Sequence, residues 1–337
     1  MTTADHRFRA RVTAVHKGRW EISPGGDAVL GGPFVTDPEE LPVVGDWVTA
    51  ERHGTLSRIV AVEPRSGLLT RKRPGDTEHD AVVEQPIAAN VDVALLTMAV
   101  DDDFNVRRLE RYLTLAWDAG ATPLVVLTKS DLIDAGRLAD LSAQVSAVAF
   151  GCECIATSSQ TRAGLDELRE SLTPGTVAIL LGSSGVGKSS LLNALAGVDL
   201  QAVSDVREFD GKGRHTTTTR RLVELPWGAL LVDTPGLREL QLWGDESSLA
   251  GSFPDVEEFA AQCRFNDCRH DGEPGCAVVR AVADGGLPAD RLDSWRRLRR
   301  ELAYLERRAD PAAARAERDK WRSIAKARRT LNRNRPG

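Results

Sequence analysis

Eleven residues carry the clearest chemistry: Leu180-Leu181-Gly182-Ser183-Ser184-Gly185-Val186-Gly187-Lys188-Ser189-Ser190, within which Gly182 to Ser189 spell Gly-x-x-x-x-Gly-Lys-Ser. That spacing is a cradle for phosphate. Glycines at its ends let backbone N–H groups turn inward without a Cβ in the way, and the helix that must follow adds positive potential at the same point. Lys188 can reach β- and γ-phosphates, and Ser189 can ligate Mg²⁺. The apolar run Val177–Leu181 before the loop reads as a buried strand. Ser190 to Ala196 reads as a helix that stops at Gly197. A chance glycine-rich turn would lack both flanks.

Three shorter stretches complete a nucleotide site. Asp233-Thr234-Pro235-Gly236 ends a strand, so that Asp233 would hold Mg²⁺ through water and the Gly236 N–H would sense the γ-phosphate. Thr128-Lys129-Ser130-Asp131 ends another, and a carboxylate at Asp131 accepts two hydrogen bonds from guanine that adenine cannot donate. Ser158-Ser159 can supply backbone N–H groups to guanine O6. Each is weak alone; at the carboxyl ends of strands beside a phosphate loop they reinforce one another. Cys263-x4-Cys268-x-His270-x5-Cys276 offers three thiolates and an imidazole, a complete set for one structural Zn²⁺. Cys152 and Cys154 fall on an apolar strand and read as core.

These residues need a scaffold, and the chain of 337 residues is long enough for two or three domains. Residues 1–68 look all-β: Phe8, Ala10, Val12 and Ala14 alternate with polar side chains, and 43–48 and 56–62 read as further strands, as in an oligonucleotide-binding (OB-type) β-barrel. The polar stretch 69–85 reads as a linker. Residues 86–242 alternate strands and helices, which implies an α/β domain with a parallel sheet. Within it, residues 205–219 read as a mobile loop. Residues 243–337 hold the cysteine segment and a mostly helical tail with Trp295, Leu298, Leu302 and Leu305 on one face. The net charge is −5 overall, but residues 295–337 carry +10, leaving −15 for the rest, so a polyanionic partner fits the tail. Five cysteines with no apolar leader at Met1–Arg7 fit a reducing cytoplasm, and the longest apolar run is too short for a bilayer.

The order of the motifs is permuted. A GTPase normally places the phosphate loop before the guanine motifs, whereas here the latter, at 128 and 158, precede 182. With Gly45-Asp46-Trp47-Val48, Gly182 to Ser189, Gly213-Arg214-His215-Thr216-Thr217-Thr218 and Asp233 to Gly236 in hand, the chain resembles the bacterial ribosome small-subunit-dependent GTPase A family. The resemblance spans nearly the whole chain. It implies a circularly permuted GTPase between a β-barrel and a zinc module, zinc held by Cys263, Cys268, His270 and Cys276, and GTP with Mg²⁺. It also implies a cycle in which the GTP-bound protein binds a late precursor of the small (30S) ribosomal subunit and its 16S rRNA, aids its maturation, and leaves after hydrolysis to GDP. A soluble monomer is expected. Thr128 departs from the usual asparagine, whose amide braces guanine N7 and the phosphate loop. Leu237 stands where many GTPases keep a water-orienting glutamine. His215 is the local candidate for that role, next to Thr216 and Thr217, one of which would ligate Mg²⁺ with Ser189 and Asp233; the alternatives are a solvated loop histidine and a group brought by the ribosome. A signalling or metal-delivery GTPase, and an RNA binder with a vestigial site, are the rival readings. The barrel and basic tail speak against the first, and intact Lys188, Ser189 and Asp233 against the second.

Overall fold

The computed structural model describes residues 7–16, 18–31, 41–72, 84–197, 220–233 and 249–309. The expectations placed on loop 205–219, on His215, Thr216, Thr217, Gly236 and Leu237, and on the tail beyond 309 lie outside the described residues.

Five strands, β1 (Arg7–His16), β2 (Arg19–Ser23), β3 (Gly26–Leu30), β4 (Trp47–His53) and β5 (Leu56–Val62), run in the order β1-β2-β3-β5-β4 and close back on β1. The alternation seen in the sequence turns Ala10, Val12, Trp20, Ile22, Val48 and Ile59 into the barrel core. Residues 43–46, expected to be strand, are instead a tight turn. Asp46 is fully buried there. Its carboxylate accepts from the Val43 N–H and, at 2.8 Å on each oxygen, from the fork of Arg65. A Cβ on Gly45 would sit 2.1 Å from the Ala89 carbonyl oxygen, and its φ of +93° suits only glycine. The Gly45-Asp46-Trp47-Val48 motif thus seals the barrel against the next domain.

The stretch 69–85, read as a linker, begins and ends in strand at its described residues 69–72 and 84–85. β6 (Leu68–Lys72) and β7 (Glu84–Ala89) pair as an antiparallel hairpin. Polar side chains gather at one end of the pair, where Arg71 donates to the Gln85 side chain, while Leu69, Ile87, Ala88 and Ala89 are buried.

The α/β domain is built on β8 (Val93–Ala99), β9 (Thr122–Thr128), β10 (Cys154–Ala156), β11 (Val177–Leu181), β12 (Arg220–Glu224) and β13 (Leu230–Asp233). Their order is β10-β9-β8-β11-β13-β12, parallel except for β12. The unbroken apolar runs are those of strands buried on both faces. In β11, Val177, Ile179 and Leu181 enter the core under α1 (Val106–Asp118) and α2 (Ala135–Ser146). Ala178 and Leu180 enter the opposite core, under α3 (Leu165–Glu170) and α4 (Lys188–Ala196). Barrel and sheet are continuous, because Ala14 and Val15 of β1 pair with Arg221 and Arg220 of β12.

The C-terminal module comprises α5 (Leu249–Ser252), α6 (Pro254–Ala260), α7 (Ala277–Ala283) and α8 (Ala289–Ala309). Its core is not separate. Phe253, Val256, Trp295, Leu298 and Leu302 share one apolar cluster with Leu109 and Leu113 of α1. Trp295, Leu298 and Leu302 are buried on one face as their spacing implies; the side chain of Leu305 lies outside the description. Cys152 and Cys154 are half-buried against the same cluster, and burial pushes the Cys154 thiol up to about 11, so these are packing residues.

Candidate functional site

Three loops meet at the carboxyl edge of the sheet, where β9, β8 and β11 lie side by side. The phosphate loop leaves β11 at Gly182, where a Cβ would lie 2.6 Å from the Thr97 carbonyl oxygen. Gly185 and Gly187 take φ of +83° and +99°, open only to glycine at low strain. Gly187 caps α4 without a side chain, which leaves the first N–H groups of that helix facing the loop. Ser184, Gly185, Ser189 and Ser190 are exposed or half-exposed, while Val186 is buried as the anchor. The Lys188 ammonium bonds the carbonyls of Gly182 at 2.8 Å and Ser183 at 2.5 Å, and burial pushes its pKa down. An anion beside it would reverse that shift.

Thr128 closes β9 and answers the missing amide. Its hydroxyl donates to the Val186 carbonyl in the middle of the phosphate loop, and also lies 3.3 Å from the Met98 carbonyl. The loop brace usually supplied by asparagine is therefore present; a direct contact to guanine N7 is not part of that bond. Lys129 takes a left-handed backbone, φ 61°, which turns the chain into the short 3₁₀ helix Ser130–Leu132 and leaves Asp131 exposed at the edge.

The turn after β10 holds Ser158 in local hydrogen bonds. The Ser158 N–H donates to the Ala163 carbonyl at 3.0 Å, and its hydroxyl accepts from the N–H groups of Gln160 and Thr161. Ser158 is fully buried and braces its own turn, so its N–H is not free for guanine O6. Ser159, next to it, is half-exposed. The loops after β9 and β10 are joined by the Ser130 N–H to the Thr157 carbonyl at 3.1 Å.

Asp233 ends β13, beside β11 and hence beside the phosphate loop. Burial pushes its carboxyl pKa up, and a cation bound beside it would push it back down. Asp233 and Ser189 are hard oxygen donors of the kind Mg²⁺ takes.

The metal set gathers as its spacing implies. One ligand atom from each of Cys263, Cys268, His270 and Cys276 falls within 4.8 Å of all the others. Tetrahedral zinc, with Zn–S of about 2.3 Å and Zn–N of about 2.0 Å, sets edges of about 3.8 Å for S···S and about 3.5 Å for S···N. The observed edges are 3.9 Å for Cys263–Cys276, 3.6 Å for Cys263–His270 and 3.4 Å for Cys276–His270. Backbone N–H groups of Ala277 and Val279 donate to the sulfurs of Cys263 and Cys276. The Arg296 guanidinium holds the His270 carbonyl, and the Trp295 ring packs on the imidazole at 5.0 Å. These residues fit zinc, and four protein ligands leave no open position for catalysis.

Sequence reasoning passed over Asp101, Asp103 and Arg108. The Asp101 carboxylate bonds Lys129, while Asp103 and Arg108 bond Ser183. The available signal was an acid-rich turn at the carboxyl end of β8, the strand between the base and phosphate motifs.

Comparison with known proteins agrees with this geometry. The family model described as RsgA GTPase matches residues 62–243. The small ribosomal subunit biogenesis GTPase RsgA 1 of Listeria innocua is 43% identical over 97% of this chain and 92% of its own length. The namesake from Opitutus terrae is 46% identical over 87% of this chain and 81% of its own. Among solved structures, YjeQ from Thermotoga maritima superposes with a TM-score of 0.66 at 28% identity, over 88% of this chain and 99% of that one. YloQ, a circularly permuted GTPase, gives 0.62 at 25% identity, over 88% and 96%. The chain belongs to the RsgA GTPase family.

Proposed function

We propose that this chain hydrolyses GTP to GDP and phosphate while bound to a maturing 30S ribosomal subunit, contacting its 16S rRNA, as a cytoplasmic monomer with one structural zinc. The observation that carries the reading is the tie between Thr128 and Val186, which fixes a guanine-selecting loop directly onto a phosphate loop. Among the described residues no helix is long and apolar enough to cross a membrane.

In the proposed reaction Asp131 accepts from the guanine N1–H and N2 amine, and the Ser159 N–H donates to O6. The amides of 183–189 and the Lys188 ammonium surround the phosphates. Mg²⁺, when bound, offsets charge on the β- and γ-oxygens; Ser189, Asp233 and Thr217 or its neighbour Thr216 would hold it. Gly236 donates its N–H to the γ-phosphate, and His215 orients the attacking water. Since Leu237 cannot do so, turnover by the protein alone is slow and 30S particles speed it. Assays of GTP turnover with and without purified 30S subunits test this. Stimulation supports the ribosomal role, whereas a rate indifferent to 30S would favour a signalling or metal-delivery switch. His215→Ala should remove most of the stimulated rate and leave GTP binding nearly intact. Full stimulated activity in that variant would assign the water-orienting group to the ribosome.

A further inference from the structure

The turn after β8, residues 101–103, belongs to none of the nucleotide motifs and yet grips two of them. Asp101 Oδ2 accepts from Lys129 Nζ at 2.8 Å. Asp103 Oδ2 accepts from Ser183 Oγ at 2.5 Å and from Arg108 Nη1 at 2.7 Å, while Arg108 Nη1 also donates to Ser183 Oγ at 2.8 Å. The Asp103 N–H donates to Asp101 Oδ1 at 3.0 Å, so both carboxylates are held in one rigid turn. Each carboxylate side chain is 35% exposed, too open for a folding core and well placed beside a ligand. The Lys129 ammonium and the Asp103 N–H hold the Asp101 carboxyl below its usual range, so it is ionised throughout the neutral region.

We propose that Asp101 and Asp103 are positioning residues of the GTP site: Asp101 fixes Lys129 of the base-recognition loop, and Asp103, directly and with Arg108, fixes Ser183 and with it the phosphate loop. This rests on the GTP reading above and adds a division of labour to it. Lys129 meets the same base in GTP, in GDP and in the transition state. Loosening it should weaken all three alike, which raises KM and leaves kcat. The phosphate loop surrounds the group whose charge shifts during reaction, so loosening Ser183 should fall mainly on kcat.

The test uses full-length protein, equilibrium binding of fluorescent GTP and GDP, and steady-state turnover with 30S subunits. Asp101→Asn should raise Kd for GTP and GDP by about tenfold each with kcat within about twofold, the loss expected for one charge-assisted hydrogen bond. Asp103→Asn and Ser183→Ala should each lower kcat about tenfold with Kd for GDP changed by less than about threefold. Combining them should cost no more than either alone, since they remove one shared hydrogen bond. Arg108→Lys should recover part of the kcat lost in Arg108→Ala. If Asp101→Asn leaves Kd unchanged and Asp103→Asn leaves kcat unchanged, the proposal is wrong. It is equally wrong if both variants lower kcat and affinity in the same ratio with a fallen Tm, which marks a purely structural turn. Wild-type protein that neither binds nor hydrolyses GTP would instead refute the GTP reading itself.

Discussion

Thr128 does two jobs with one hydroxyl, since it ends the guanine-side strand and reaches the Val186 carbonyl across the cleft. Thr128→Val keeps the shape and the β-branch but leaves that buried carbonyl short of a donor, at a cost of about 1 kcal/mol in stability. Thermal melting reads that loss, and nucleotide binding should weaken with it because the loop loses its brace. At the other end of the base site, Asp131→Asn should move preference from guanine toward xanthine nucleotides, which a competition assay would show. Unchanged GTP preference would refute the role of Asp131. The motifs at 128, 182 and 233 were legible because each is a short local pattern whose meaning depends only on a strand ending there. Ser183 and Asp103 are 80 residues apart, and no spacing rule links them. The bond from the Ser158 N–H to the Ala163 carbonyl was equally hidden, because it turns on where one N–H points.

At the scale of elements, α1 links the site to the rest of the molecule. Its first turn carries Arg108 against the phosphate loop. Farther along, Glu110 meets Arg291 of α8 at 3.1 Å, Arg111 meets Glu301, and the Thr114 hydroxyl meets that of Ser252. Arg291 also bonds Asp255 and lies over the Phe253 ring at 4.0 Å, with the guanidinium almost fully buried. Arg291→Ala would strand Glu110 and Asp255, and breaking a buried pair from one side costs about 3–5 kcal/mol. A drop of that size in unfolding free energy, read by denaturant titration, is expected. Glu110→Gln should behave differently. Burial outweighs the hydrogen bonds from Ser294 and Arg291 and pushes the Glu110 carboxyl up, so the ionised form is penalised in the folded state. A raised carboxyl pKa contributes stability below the unfolded value and loses it as pH rises through the folded value. At neutral pH the glutamine variant should therefore lose little, and wild type should gain on it as the pH falls; Tm measured against pH for both proteins checks the sign. The α/β elements were readable from their runs of apolar residues. The pairing of β6 with β7 was not, since Arg71, Lys72, Glu84 and Gln85 put polar side chains at the end where the two strands begin to pair.

Across the whole molecule, the barrel, the α/β sheet and the C-terminal helices share structure. β1 runs from the barrel into the α/β sheet, and its neighbour β12 pairs with β13, which ends at Asp233. The zinc loop lies between helices that complete the core under α1. Removing zinc should consequently do more than unravel residues 263–276, because metal binding in such a segment is folding free energy. Chelation should lower the melting temperature of the GTP-binding domain as well, and gently purified protein should contain one zinc per chain by elemental analysis. Shared structure also decides how the basic tail can be tested. The excess charge begins near Trp295, but Trp295, Leu298 and Leu302 are buried in the common core, so truncation there would unfold the protein and prove nothing about RNA. Deletion of residues 310–337 spares those side chains and removes 9 of the 15 lysines and arginines counted from Trp295 onward. Every cation withdrawn from an RNA phosphate should flatten the dependence of log K on log salt by about 0.7–0.9. The truncated protein should bind 30S subunits more weakly at low salt, with a shallower salt slope, while its GTP affinity and Tm stay near wild type. Equal affinity and equal slope would move the polyanion site from the tail to the barrel.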